Sequence, residues 1–244
     1  MPGKAGRKQE KIMASFQPEP KKICLSLAES TVSGALALAQ RLEARADVIE
    51  VRLDLLDEPA VKPFIDGLST PLLFTNRAQW EGGNWQGSEA GRIDLLIEAV
   101  EHNAAYVDIE LMAPAADRER VLAAAATATT RAIVSWHNFT ETPDDQVLAD
   151  IFQQQLHSGA DIGKIVTLAH HYTDCLRVLA LQLLAAREKF ALAAFCMGQA
   201  GKISRAATLE LGGVFTYGAA DHARCTAPGQ LSIDELRTIQ ELVR

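Results

Sequence analysis

Lys164 lies within Gly163-Lys164-Ile165-Val166-Thr167-Leu168, an apolar, β-branched run of the kind that becomes a buried parallel strand. An ammonium group is costly there without a specific purpose, so Lys164 is a candidate Schiff-base amine. One strand earlier, Ala132-Ile133-Val134-Ser135-Trp136-His137-Asn138-Phe139 delivers a histidine where the strand should end. Histidine titrates near neutral pH, and a desolvated lysine close to other cations is pushed toward the free amine that attacks a carbonyl. Taken alone, His137 would read as a strand-end histidine satisfied by hydrogen bonds. Beside Lys164 it becomes the candidate base, and the pair predicts carbonyl chemistry. His170 and His171, after the same strand as Lys164, are the runners-up for acid/base work, whereas His102, His157 and His222 fall in helix or loop contexts.

These residues need strands to carry them. Eight short apolar runs are spaced along the chain, at 22–27, 48–53, 72–76, 106–111, 132–136, 163–168, 190–197 and 213–217. Amphipathic stretches follow or separate them at 88–103, 114–129, 143–158, 173–189 and 232–243. Ser30 and Asp174 read as helix-start residues, and Pro114 and Pro143 suit a first helical turn. Regular βα alternation predicts a parallel sheet, and eight units in a chain of this length predict an α/β fold of the (β/α)8 TIM-barrel type in a single domain. A doubly wound open sheet is the alternative, because counting units does not prove closure. The expected organisation is a flexible N-terminal tail over residues 1–20 and a catalytic barrel over 21–244.

Composition narrows the partners. With 31 acidic and 24 basic residues the formal charge is −7, so no global basic field would draw nucleic acid or an anionic membrane surface. An anionic substrate must be gathered by local arginines. Cys24, Cys175, Cys196 and Cys225 are widely spaced, with no CxxC pair and no Cys/His spacing suited to zinc, and they read as reduced thiols of a cytoplasmic protein. No apolar run approaches the ~18 residues that suggest a membrane span.

In a barrel, the carboxyl ends of the strands and the loops after them face the active site. Period-2 geometry puts Glu50, Arg52 and Asp54 on one face of the second strand. The structural alternative is a buried Glu50–Arg52 ion pair; the functional one is a grip on substrate hydroxyl groups. The third strand runs into Arg77 and a Gly-rich loop carrying Glu81, where a surface ion pair is the simple reading of Arg77. Asp108 and Glu110 repeat the inward-acid pattern, as structural partners for a barrel cation or as supports of the catalytic groups, with the structural role preferred. Met197 to Arg205 only superficially matches a phosphate loop, since Cys196, just before it, and Ile203 stand where glycine and a hydroxyl residue are required. Arg205 could instead receive a carboxylate in a bidentate pair. After the eighth strand, Thr226 and Gln230 flank a turn able to close over a substrate.

From about Lys21 to its end the chain resembles the type I 3-dehydroquinate dehydratases. The resemblance rests on Glu50-Val51-Arg52-Leu53-Asp54, Arg77 with Glu81-Gly82-Gly83, Asp108-Ile109-Glu110-Leu111 and Ile133 to Phe139, then on Lys164, Ser204-Arg205, Thr216-Tyr217 and Ala227-Pro228-Gly229-Gln230. It implies a (β/α)8 barrel, a homodimer, and conversion of 3-dehydroquinate to 3-dehydroshikimate in the shikimate pathway with no metal and no organic cofactor. It further implies that Lys164 forms the Schiff base, that His137 shuttles protons with Glu81 orienting it, and that Arg205 holds the substrate carboxylate. Glu50, Arg52, Arg77 and Gln230 would contact substrate oxygens. Ser26 and Thr226, with Phe139, Met197 and Phe215, would line the pocket. Trp136, Gly213 and Thr226 depart from the common pattern and bear on pocket dimensions, while the chemical groups stay intact.

Two other functions fit parts of this pattern. A class I aldolase also places a Schiff-base lysine on the sixth strand of such a barrel, but many aldolases bind phosphate, and no Gly-rich phosphate site follows strands seven and eight. A non-catalytic barrel binding a polyhydroxy acid would have no need of both Lys164 and His137.

Overall fold

The structure, a computed structural model, describes residues 21–243; the expected tail over residues 1–20 lies outside the described residues. Eight parallel strands, β1 (Lys22–Leu27), β2 (Val48–Arg52), β3 (Leu72–Thr75), β4 (Tyr106–Glu110), β5 (Arg131–Asn138), β6 (Ile162–Leu168), β7 (Ala191–Met197) and β8 (Phe215–Gly218), pair in the order β7-β6-β5-β4-β3-β2-β1-β8. The Val214 N–H donates to the Leu192 carbonyl at 3.0 Å across the remaining gap between β8 and β7. The sheet therefore curls into a nearly closed (β/α)8 barrel in one domain, and the open-sheet alternative falls away.

Helices α1 (Val32–Leu42), α2 (Lys62–Gly67), α3 (Glu89–Glu101), α4 (Ala115–Ala126), α5 (Asp145–Leu156), α6 (Tyr172–Glu188), α7 (Lys202–Glu210) and α8 (Ile233–Leu242) follow the strands in turn. Their starts show capping chemistry that the sequence locates only in part. Thr31, not Ser30, caps α1 by accepting the Gly34 N–H. Asp174 sits inside the first turn of α6 and completes a capping box with His171, and Pro143 precedes the cap residue Asp144 of α5. The six-residue α2 has no counterpart among the predicted stretches, because one and a half turns carry too little periodicity to register.

Strand parity builds the site. Inward positions at the amino ends of the strands are Cys24, Val48, Leu73, Tyr106, Ile133, Ile162, Ala193 and Phe215, all buried in one apolar cluster that fills the lower barrel. One step further along the same faces come Ser26, Glu50, Thr75, Asp108, Ser135 and Lys164, every one buried. The outward positions, such as Leu25, Ile49, Ile109 and Val134, belong to the larger apolar cluster between sheet and helices. An apolar plug thus supports a polar layer, and that layer opens at the carboxyl ends of the strands. Trp136, expected to change the pocket, points outward and packs against the outer cluster. Gly213 lies against Thr208 and Gln182, outside the residues lining the cleft. Thr226 does line it.

Candidate active site

A cleft opens at the carboxyl ends of the strands, and both Lys164 and His137 line it. Lys164 comes from the middle of β6, 4% exposed, with its Nζ 3.1 Å from Asp108 Oδ2 and 3.8 Å from Glu50 Oε1. The same nitrogen stands 4.2 Å from the centre of the Tyr217 ring. The charged groups nearest the amine are carboxylates. The reason is strand order, since β4 and β2 point acids across the barrel at β6. Glu50 is fixed by donors on both sides, Ser26 Oγ to one oxygen and Thr75 Oγ1 at 2.8 Å to the other.

Asp108 also accepts from Ser135 Oγ at 2.6 Å and pairs with Arg77 Nη2 at 2.8 Å. Burial alone would raise its pKa, but the positive charges of Arg77 and Lys164 outweigh that and hold it below the usual carboxylate range. Arg77 is not a surface ion-pair residue: it is 3% exposed and ties together Asp108, Glu110 at 2.8 Å and Glu81 at 3.8 Å. Glu110 in turn pairs with the buried Arg92 at 2.6 Å. Glu110 is therefore structural, as preferred from the sequence, whereas Asp108 touches the amine itself.

His137, near the end of β5, places Nδ1 2.8 Å from Glu81 Oε2. Burial, reinforced by the cations Arg77 and Lys164, pulls the imidazole well below its ordinary pKa, so it is held neutral. Glu81 is pushed up to about 8, by burial first and by the nearby Glu110 and Asp108 charges, against the opposing pull of Arg77. Its second oxygen is buried with no partner among the described residues. The Phe139 ring stacks on His137 at 6.2 Å, and Gly82 (φ 74°) makes room for it: a Cβ there would lie 2.4 Å from the ring. This explains the glycine in the Glu81-Gly82-Gly83 loop.

Across the cleft, Arg205 projects from α7. It is 1% exposed, has no carboxylate partner among the described residues, and its Nε has no acceptor. One Nη lies 3.4 Å from the Pro228 carbonyl and the guanidinium faces the Phe195 ring at 4.9 Å. Burial without an anion lowers it to about 10, so it stays charged at neutral pH. A buried, uncompensated cation at the edge of a cleft is a receptor for an anion. Gln230 accepts the Thr226 N–H at 2.8 Å, and Thr226 Oγ1 reaches Ser26 Oγ at 3.1 Å, which joins the last loop to the first strand. Ser26 itself lies beneath the cleft, under Glu50 and Thr226. Arg52 lines the cleft but pairs bidentately with Asp54, at 2.8 and 2.7 Å, instead of with Glu50. The buried Glu50–Arg52 ion pair considered from the sequence is absent: Asp54 lies in a tight turn just past β2 and folds back onto Arg52.

Lys164, His137, Glu81, Glu50, Arg52, Arg77, Arg205, Thr226 and Gln230 therefore converge on one cleft, with Ser26 supporting it. His170, a runner-up for acid/base work, instead spends Nε2 on the Thr140 carbonyl at 2.8 Å and His171 caps α6, so neither lines the cleft. Asp108 and Tyr217 contact the amine; the sequence offers Asp108 as a partner for a barrel cation without specifying which one, and gives Tyr217 no role there. The signal available is parity, since both share the inward face of their strands with residues that the sequence does single out. Among the described residues, no group of three or more His, Cys, Asp or Glu side chains is placed to hold a metal ion.

Fold and cleft position together define a (β/α)8-barrel enzyme. The family model for type I 3-dehydroquinase matches residues 23–244, and the chain belongs to that family of hydro-lyases. It is 44% identical over 219 residues to a 3-dehydroquinate dehydratase of Desulfotalea psychrophila, covering 90% of this chain and 96% of the relative. Among solved structures it is similar to the type I 3-dehydroquinate dehydratase of Clostridium difficile, crystallised with covalently modified comenic acid, at 26% identity and a TM-score of 0.83, covering 93% of each chain. The 3-dehydroquinate dehydratase of Enterococcus faecalis matches at 27% identity and a TM-score of 0.81, covering 93% of this chain and 95% of that one.

Proposed function

We propose that this chain converts 3-dehydroquinate to 3-dehydroshikimate through an imine on Lys164, as expected of a type I 3-dehydroquinate dehydratase. The observation that carries this reading is a buried strand amine sharing one cleft with a neutral imidazole and an unpaired guanidinium. In the reaction, the Lys164 ammonium first gives a proton to a base in the cleft, the amine so formed adds to the C3 ketone, and water leaves with one proton from the nitrogen and one from an acid to give a protonated imine. That cation draws electrons from the adjacent C2–H bond, which His137 breaks through Nε2 while its Nδ1–H is held by the Glu81 carboxylate. The imidazolium so formed returns its proton to the departing C1 hydroxyl. Hydrolysis of the imine then frees the product and restores Lys164. Arg205 receives the substrate carboxylate, Glu50, Arg52, Arg77, Thr226 and Gln230 bound the polar walls, and no metal or organic cofactor takes part. Arg205, with no carboxylate partner among the described residues, can receive the substrate carboxylate without displacing a protein anion, and the neutral imidazole beside the buried amine favours this reading over a passive binding barrel.

Borohydride added with 3-dehydroquinate is expected to inactivate the protein irreversibly, and peptide mass analysis should find the reduced adduct on Lys164. An adduct on Lys202 instead, or none, would remove the mechanism. We further propose a cytoplasmic homodimer, supported by the family resemblance and by reduced cysteines. No helix among the described residues is long and apolar enough to cross a membrane. Light scattering should then give twice the 26.4 kDa chain mass; a monomer at micromolar concentration would refute the dimer.

A further inference from the structure

Tyr217 is placed where the mechanism above has no use for it. It is 4% exposed, comes from β8, two strands from β6 around the barrel, and lines the cleft with its ring 4.2 Å from Lys164 Nζ. Its hydroxyl is buried and has no hydrogen-bond partner among the described residues, so no hydrogen bond explains why a tyrosine stands there. Burial, reinforced by the acidic neighbours, keeps the phenol neutral. What faces the nitrogen is an uncharged aromatic surface.

We propose that the ring face of Tyr217 stabilises the cationic imine formed on Lys164. This role rests on the imine reading of Lys164 and deepens it. The reason lies in the proton count. An ammonium has three N–H donors, and in the free protein it faces two carboxylates, Asp108 and Glu50. When the free amine adds to the ketone, the carbonyl oxygen leaves as water, taking one proton from the nitrogen and one from an acid in the cleft. The resulting C=N⁺–H keeps its positive charge but retains a single N–H. It can hydrogen-bond one carboxylate oxygen, no longer two groups. A π face needs no N–H and attracts the charge in either state, so its share of the stabilisation grows as the donors are lost. Water would do the same work in an open site, but here the nitrogen is enclosed by Asp108, Glu50 and the ring.

The test is a substitution series read by kcat/KM and by the fraction of chain carrying borohydride-reduced adduct at fixed substrate concentration. Tyr217→Phe keeps the face and should stay within about twofold of wild type. Tyr217→Leu keeps apolar bulk without the face and should lose about three- to thirtyfold in both readouts. Phenylalanine carrying two and then five ring fluorines at this position retains shape but progressively reverses the electrostatics of the face, and both readouts should fall step by step. This series also keeps the test alive if the leucine variant does not fold. A flat response to fluorination, or a phenylalanine variant as impaired as leucine, overturns the proposal. A wild-type protein that traps no adduct on Lys164 overturns the underlying imine reading instead, so the two failures are distinguishable.

Discussion

Lys164→Ala is expected to reduce turnover of 3-dehydroquinate to background while leaving the fold and much of the substrate affinity in place. Without the amine there is no imine, and without the imine the C2 proton stays as unreactive as that of an ordinary ketone. The loss should reach at least about 10⁵-fold, the scale of advantage that an intramolecular nucleophile in a fixed geometry has over one from solution. Removing a buried cation is often severely destabilising because its counter-ion is stranded. Here Asp108 keeps Arg77 and Ser135 as partners, and Glu50 keeps Ser26 and Thr75. The variant should therefore melt close to wild type. Binding should persist because the free guanidinium of Arg205 is untouched, and calorimetric titration with the substrate reads that directly. Turnover within tenfold of wild type would show that the nucleophile lies elsewhere.

His137→Ala should fail at a later step. Condensation with Lys164 needs no imidazole on that nitrogen, whereas removal of the C2 proton and departure of the C1 hydroxyl both lose their proton carrier. A loss of about 10² to 10⁴ in kcat is expected, with more imine trapped by borohydride than in wild type because the intermediate waits. The wild-type pH profile follows from the partner. For Nε2 to act as base, Nδ1 must carry the proton that Glu81 accepts, so Glu81 has to be ionised. Its pKa in the free protein is pushed up to about 8, and below that value the carboxyl holds a proton it must give up. The kcat/KM should therefore rise with pH through an apparent value near 8 that belongs to the pair, then level off while His137 remains neutral. In Glu81→Gln this rising limb should disappear, the amide having no proton to lose. If the limb persists there, or if His137→Ala turns over at near wild-type rate, the shuttle is a different group.

The architecture and most of the reacting groups are legible along the chain. Eight short apolar runs alternating with amphipathic stretches bury their apolar faces well as a parallel sheet wrapped by helices. Period-2 alternation then assigns Glu50 and Arg52 to one face of their strand and marks Lys164 as a buried strand residue. The lysine and the histidine stand out because a strand tolerates such groups in its core only for a reason. Which charge answers which is not legible in the same way. Arg52 could pair with Glu50 or with Asp54, and the tight turn after β2 selects Asp54. Lys164 reads as a buried strand amine with no partner specified and lies between two carboxylates, because closing the barrel brings β2 and β4 to face β6 from a distance that sequence separation does not encode. From its own segment Arg77 could be a surface ion-pair residue or a substrate contact, and it is the buried hub of three acids, whereas the equally buried Arg205 has no carboxylate partner among the described residues. Local patterns depend on the backbone's own period and can be read residue by residue. The pairing of buried charges depends on distances across a closed barrel, and those distances exist only once the strands have met.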